Sequence, residues 1–224
     1  HNNADKNTFI IKKLSTKINS IVIEGSGVDI KLFKKKNKTS FRKEIKILFP
    51  ARLIREKGII ELIKACNNLW SSNYKFTLEI AGELDRYNRS CLDEITFENI
   101  INNKKIKFLG KVENMLKVYK KTDFVVLPSW REGLSKSLLE AASMSLPIIT
   151  TDVPGCKDII RNKYSGIIVP LKNVEKLELA IKFYLENHKL ALTYGKNARI
   201  NVIKRFSTDL INKEILNVYD NFLN

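Results

Sequence analysis

The chain has 224 residues, and its 40 Lys and Arg against 24 Asp and Glu give a formal net charge of +16. That length is about one and a half typical domains, enough to bury roughly 70% of the unfolded surface. No window approaches the 18 or more apolar residues of a membrane span, and the start lacks the charged-then-apolar pattern of a signal peptide, so a soluble cytoplasmic domain is expected. Cys66, Cys91 and Cys156 stand alone without C-x-x-C spacing, which argues against a disulfide framework or a zinc site and for reduced, buried thiols.

The chain opens with His1 and a polar run, which suggests a fragment of a longer protein; residues 5–14 could form a short helix and 20–24 a strand. Gly25 to Asp29 reads as a turn, and 34–43 as a Lys-rich linker. Short apolar runs at 46–51, 76–81, 106–109, 124–127, 147–151 and 166–169 have the length and flanks of buried parallel strands. Between them, Ile59, Ile60, Leu62, Ile63, Cys66, Leu69 and Trp70 keep helical spacing after Gly58, and 92–101 and 115–119 are further amphipathic stretches. Three helices follow at 174–184, 189–202 and 208–222. The alternation predicts an α/β fold, a Rossmann-like doubly wound parallel sheet of about six strands with C-terminal helices. Ligands of such sheets sit beyond the carboxyl ends of the strands, where Arg52, Glu83, Lys111 and Glu132 would emerge.

The stretch from Pro128 to Ile160 places Glu132 and Glu140 eight positions apart across the start of a helix. Were the chain helical from Glu132 onward, the two would be separated by about 12 Å along the axis and about 80° around it. A glycosidase acid/base pair needs roughly 5 to 9.5 Å, so this spacing suits two separate contacts on one long ligand. Gly133, Leu134, Ser135, Lys136 and Ser137 lie between them, where the free N–H groups and positive dipole end of a helix attract phosphate. Carboxylate, phosphate cradle and carboxylate read together as sugar, diphosphate and ribose. Taken in isolation, Glu132 would be an ordinary first-turn acid and Glu140 a solvated helix residue.

The wider pattern is more specific. Glu-x7-Glu after a strand ending in Pro-Ser, then LLEA, Pro147 and Asp152-Val-Pro-Gly, resembles the signature of family 4 glycosyltransferases, the retaining enzymes of the GT-B fold. The resemblance extends to Phe49-Pro-Ala-Arg52-Leu with Lys57-Gly58, to Phe108-Leu-Gly-Lys-Val112 and to Ser165-Gly-Ile-Ile-Val-Pro170. It implies the C-terminal, donor-binding half of GT-B: 1–43 a remnant of the N-terminal domain and the linker, 44–205 the nucleotide-sugar-binding domain, and 206–224 a helix returning to the absent half. On that view Phe9, Ile10, Leu210, Ile211 and Tyr219 include apolar groups whose partners lie in the absent half.

By the same resemblance, Arg52 and Lys57 clamp the donor diphosphate and Glu132 meets the transferred sugar. The amides of Leu134 to Ser137 hold phosphate, Glu140 accepts from the ribose hydroxyls, and the Lys111-Val112 backbone meets the base. Arg52, Lys57 and Glu132 would thus be the catalytic set, acting by positive potential at the leaving diphosphate. The donor would be a nucleotide sugar, UDP favoured over GDP, as substrate rather than cofactor. The implied reaction moves a hexose or N-acetylhexosamine to a saccharide or lipid-linked acceptor held mainly by the missing half, in cell-surface polysaccharide synthesis; the fragment alone would be inactive. Gly155 and Asp158 form the next turn, as often structural as functional, and stay outside this set. The chain departs from the family at Ser145, where glycine usually closes the helix, and in Ala81-Gly-Glu-Leu-Asp85, which lacks a second glycine.

Other chemistries fit less well. No histidine stands where a serine triad needs its base, Gly133-Leu-Ser135-Lys-Ser137 lacks the closing glycine of a nucleophile elbow, and no dinucleotide fingerprint or P-loop occurs. No Asp-x-Asp pair marks a metal-dependent transferase, so no metal is expected. A GT-B sugar-nucleotide epimerase is the alternative enzyme, and a basic module for nucleic acid or membrane the alternative from another class. The lysine clusters lack interleaved aromatics and any nucleic-acid motif, leaving a solvated basic surface or peripheral contact with anionic lipid.

Overall fold

The computed structural model describes residues 23–34 and 40–223, with side chains to 221. Six strands, β1 (Ile45–Phe49), β2 (Phe76–Ala81), β3 (Ile106–Gly110), β4 (Phe124–Leu127), β5 (Ile148–Thr151) and β6 (Ile167–Val169), form one sheet in the order β3-β2-β1-β4-β5-β6. Every pairing is parallel. The central strands carry unbroken apolar runs because both faces are covered: Ile47, Leu48, Phe49 and all four residues of β4 are fully buried.

The helices are α1 (Ile59–Ser71), α2 (Glu94–Ile101), α3 (Met115–Tyr119), α4 (Lys136–Ser143), α5 (Val174–Glu186), α6 (His188–Arg205) and α7 (Thr208–Leu223). Right-handed crossovers leaving β1 and β4 in opposite directions put α1 and α4 on opposite faces; α1 packs on α5, and α4 on α6. Tyr184 pins α5 to the sheet, its hydroxyl donating to Ile148 O at 3.0 Å and its ring edge-on to Phe124. Asp123, buried before β4, accepts from the backbone N–H of Lys46 at 2.8 Å and of Arg42 at 3.2 Å, fixing the start of β1.

Most expected bounds hold within two residues, and β2, β4 and α3 coincide with expectation. Pro50 and Ala51 leave β1, since proline has no N–H for a ladder. The helix expected at 5–14, Phe9 and Ile10, most of the strand at 20–24 and residues 35–39 of the linker lie outside the described residues; Ile23 and Glu24 are not in a strand. The turn at Gly25 is present, and Val28 pairs with Ser207 as an isolated bridge. Arg199 holds this segment to the domain, donating to the carbonyls of Ile30, Phe33 and Ser143. Of the apolar groups expected to lack partners, Ile211 is fully buried, whereas Tyr219 is exposed.

Ser145 closes α4 without glycine. It takes φ +59°, Leu146 N–H reaches Ala141 O at 3.0 Å, and Ser145 N–H reaches Ala142 O at 2.9 Å. That is the Schellman arrangement that glycine usually supplies, here at the cost of left-handed strain of about 1 to 2 kcal/mol.

Candidate active site at the topological switch point

Strand order reverses between β1 and β4, which opens a crevice at their carboxyl ends. After β1 the chain makes a tight 3-10 turn, Arg55–Lys57, stopped by Gly58 at φ +73°. A Cβ on Gly58 would lie 2.0 Å from Pro128 O, so only glycine lets this turn rest on the end of β4.

The β4 loop is fastened to that turn. Trp130 N–H donates to Glu56 O at 2.8 Å, and the buried Ser129 hydroxyl lies 3.2 Å from Glu56 O and 3.0 Å from Arg131 O. Thr151, at the end of β5, donates to Ser129 O. These bonds bring Lys57 Nζ to 2.6 Å from Glu132 Oε1, with both side chains less than one fifth exposed. Two sequence-predicted residues from different loops therefore meet over the switch point.

Arg52 stands on the same rim, and its guanidinium pairs with Asp85 of the β2 loop at 2.5 Å. Lys111 is exposed and Val112 half-buried after β3, and Val112 stands two positions before Asn114, whose side chain caps α3. Among the described residues no group of three His, Cys, Asp or Glu is arranged to hold a metal ion.

The helix starts later than an unbroken run from Glu132 requires. Glu132, Gly133 and Leu134 are loop, Ser135 is the N-cap and α4 begins at Lys136, so ideal-helix spacing does not describe the two glutamates. The Ser135 N–H is aimed at Gly155 O, 3.4 Å away, while Lys136 and Ser137 carry N–H groups that the helix itself leaves without acceptors. Glu140, in the second turn, is buried rather than solvated, at 8% exposure. Its Oε2 lies 3.2 Å from the Tyr119 hydroxyl. Burial raises its carboxyl above the ordinary value, against the smaller opposing effects of the Tyr119 hydroxyl and the Lys136 charge.

Gly155 and Asp158, outside the expected set, have a supporting role. Asp158 accepts the Gly155 N–H at 3.0 Å, and a Cβ on Gly155 would lie 1.1 Å from Gly133 O. The turn after β5 is therefore the floor under Glu132 and Gly133. Tyr119 ends the amphipathic stretch expected at 115–119, and its spacing carries no sign of what its hydroxyl touches. Cys156 sits beneath the same loop, buried, its thiol pushed up to about 12 by burial, which suits packing and not nucleophilic chemistry.

A six-stranded doubly wound parallel sheet with paired charge, a helix start and a buried carboxylate at its switch point puts the chain in the class of Rossmann-like α/β proteins. The model of the glycosyl transferases group 1 family matches residues 31–201, and the chain belongs to that family. It is 28% identical over 225 residues to the capsular polysaccharide biosynthesis glycosyltransferase CapM of Staphylococcus aureus, covering 96% of this chain and 59% of that protein. It is also 28% identical over 228 residues to the N,N'-diacetylbacillosaminyl-diphospho-undecaprenol alpha-1,3-N-acetylgalactosaminyltransferase of Campylobacter jejuni, covering 96% and 58%. The fold matches Anabaena HepE in complex with UDP-glucose at a TM-score of 0.75 and 19% identity, over 87% of this chain and 56% of that one. The chain thus spans less than two thirds of these relatives.

Proposed function

We propose that this chain is the donor-binding part of a retaining glycosyltransferase that uses a nucleotide diphosphate sugar, UDP before GDP, and passes a hexose or N-acetylhexosamine to a saccharide or lipid-linked acceptor. The carrying observation is the Lys57–Glu132 pair set over the switch point, beside a helix whose second turn holds the buried Glu140. HepE is named with UDP-glucose and CapM with capsular polysaccharide, which supports the donor class and a role in cell-surface polysaccharide synthesis.

In this reading the bond between anomeric carbon and diphosphate breaks through an oxocarbenium-like state, and negative charge collects on the departing phosphate. Lys57, Arg52 and the first amides of α4 supply fixed positive potential there. Glu132 accepts from the sugar's hydroxyls, and its contact with Lys57 holds the cation in place before the donor arrives. Glu140 accepts from the ribose, and the Lys111-Val112 backbone borders the base. The acceptor is held by a further domain, to which α7 returns.

Calorimetry with UDP on the full-length protein tests the reading. We expect micromolar to millimolar affinity that Glu140→Ala weakens by at least tenfold. Binding should fade on acidification from a higher pH than the usual carboxylate value of about 4.3 allows. The sign follows from protonation: ribose hydroxyls donate to the ionised carboxylate, and burial makes that form easier to lose. Wild-type affinity in Glu140→Ala would remove the ribose contact.

Peripheral contact with an anionic membrane belongs to the same proposal. Arg42, Lys43, Lys75, Lys104, Lys105, Lys120 and Lys121 are exposed in the loops at the amino ends of β1 to β4, and the one exposed carboxylate described in those loops is Glu44. The donor site lies at the opposite end of the strands, so this cationic rim remains open when the crevice is occupied. Each basic residue near an anionic surface contributes about 1 kcal/mol. Sedimentation with phosphatidylserine vesicles should therefore show salt-sensitive binding, weakened about thirtyfold or more in Lys120→Glu/Lys121→Glu. Equal binding to phosphatidylcholine vesicles would discard this contact.

A further inference from the structure

The hydroxyl of Tyr119 lies 3.2 Å from Glu140 Oε2 and 3.0 Å from Ser137 O, so one buried phenol reaches two successive turns of α4. Tyr119 is itself fully buried at the end of α3. Its ring is closed in by Phe33, edge-on at 6.2 Å, and the carbonyl of Phe33 is held by Arg199. The phenol therefore has little freedom to turn away.

We infer that Tyr119 is a positioning residue for the transfer reaction: its hydroxyl holds one oxygen of Glu140 so that the other faces the ribose hydroxyls of the donor. This rests on the reading of Glu140 as the ribose ligand. Both Ser137 O and Glu140 Oε2 can only accept while the carboxylate is ionised, so the single phenol proton serves one of them at a time, and the charged acceptor makes the stronger bond. A carboxylate has room for about four hydrogen bonds. With Oε2 turned to Tyr119, Oε1 and the remaining lone pair stay available to two adjacent hydroxyls.

Stability alone does not account for the pair. Burying a carboxylate whose one close donor is a neutral hydroxyl is unfavourable, and an apolar residue would fill the space under α4 at lower cost. The groups acting on Glu140 are Tyr119 from α3 and Lys136 on α4 itself, and both favour its ionised form; on α6, Arg199 is turned to Ser143. Removing the hydroxyl leaves the carboxylate easier to protonate and free to rotate.

The test is UDP calorimetry on the full-length protein carrying Tyr119→Phe, which keeps the ring and its packing, with the thermal midpoint measured alongside. The expected result is a roughly 10- to 100-fold weaker affinity, an acidic limb of binding moved to higher pH, and a midpoint within a few degrees of wild type. In a Glu140→Ala background the same change should cost nothing further, since the hydroxyl acts through the carboxylate. An equal loss in both backgrounds, or wild-type affinity with an unmoved acidic limb, overturns the positioning role. Should Glu140→Ala itself bind UDP normally, the ribose assignment has failed. A loss in Glu140→Ala with none in Tyr119→Phe leaves that assignment standing and removes only Tyr119.

Discussion

Replacing Lys57 with Ala in the full-length enzyme is expected to lower kcat by about 10²- to 10³-fold, the 2.7 to 4 kcal/mol typical of losing one preorganised donor to a developing anion. The size of the effect follows from how little freedom the ammonium has. Its backbone is locked in a 3-10 turn, with its own N–H on Ile54 O at 3.0 Å and the following Gly58 stopped against Pro128. Its Nζ is 2.6 Å from Glu132, with the side chain 17% exposed, so the field at this point is only partly screened. In the proposed transfer, charge grows on the leaving phosphate mainly in the transition state, so kcat should fall more than donor affinity.

Lys57→Arg should recover little, because a planar fork does not replace a point charge in a gap built for one. Glu132→Ala should also lose activity, and the double variant should lose less than the sum, since each residue orients the other. Steady-state kinetics at saturating donor decides the matter. Lys57→Ala and Arg52→Ala both within threefold of wild type would show that neither cation serves the leaving group.

The architecture was legible because its signals are local. β4 and α3 are bounded by abrupt changes of polarity, and α1 by Gly58 and an apolar stripe, so their limits follow from neighbours in sequence. The βα alternation by itself places only Glu132 of the site's central groups beyond a strand end; Lys57 and Glu140 stand out through the resemblance, and the structure brings Lys57 to Glu132 and buries Glu140. What escaped depends on contacts between distant positions. Nothing near Arg52 in the chain foretells Asp85, and nothing near Tyr119 foretells Glu140, because each pairing is made by strand order and loop path. Ser145 shows the converse, a position where local preference asks for glycine and the Schellman hydrogen bonds, with α6 packed against the same turn, hold a serine in the left-handed region.

Gly155 is where such a long-range contact should have its largest structural effect. Its φ of +81° already disfavours any side chain, by about 1 to 2 kcal/mol. A methyl group there would meet Gly133 O at 1.1 Å and the Gly133 carbonyl carbon at 2.3 Å, both backbone atoms that no rotamer change can move. Forced overpacking of this kind adds roughly 1 to 3 kcal/mol. Gly155→Ala is therefore expected to destabilise the fold by about 2 to 5 kcal/mol, lowering the thermal midpoint by roughly 5 to 15 °C. Where the Gly133 carbonyl yields, the loop bearing Glu132 shifts relative to Lys57, and activity should fall beyond what the residual folded fraction explains. Gly133→Ala is the control for stability: a Cβ there meets nothing within 4 Å, and the midpoint should hold within about a degree or two. If Gly155→Ala unfolds at the wild-type temperature and turns over donor normally, the turn after β5 is not the floor of the site, and Glu132 is held by its own loop and Lys57 alone.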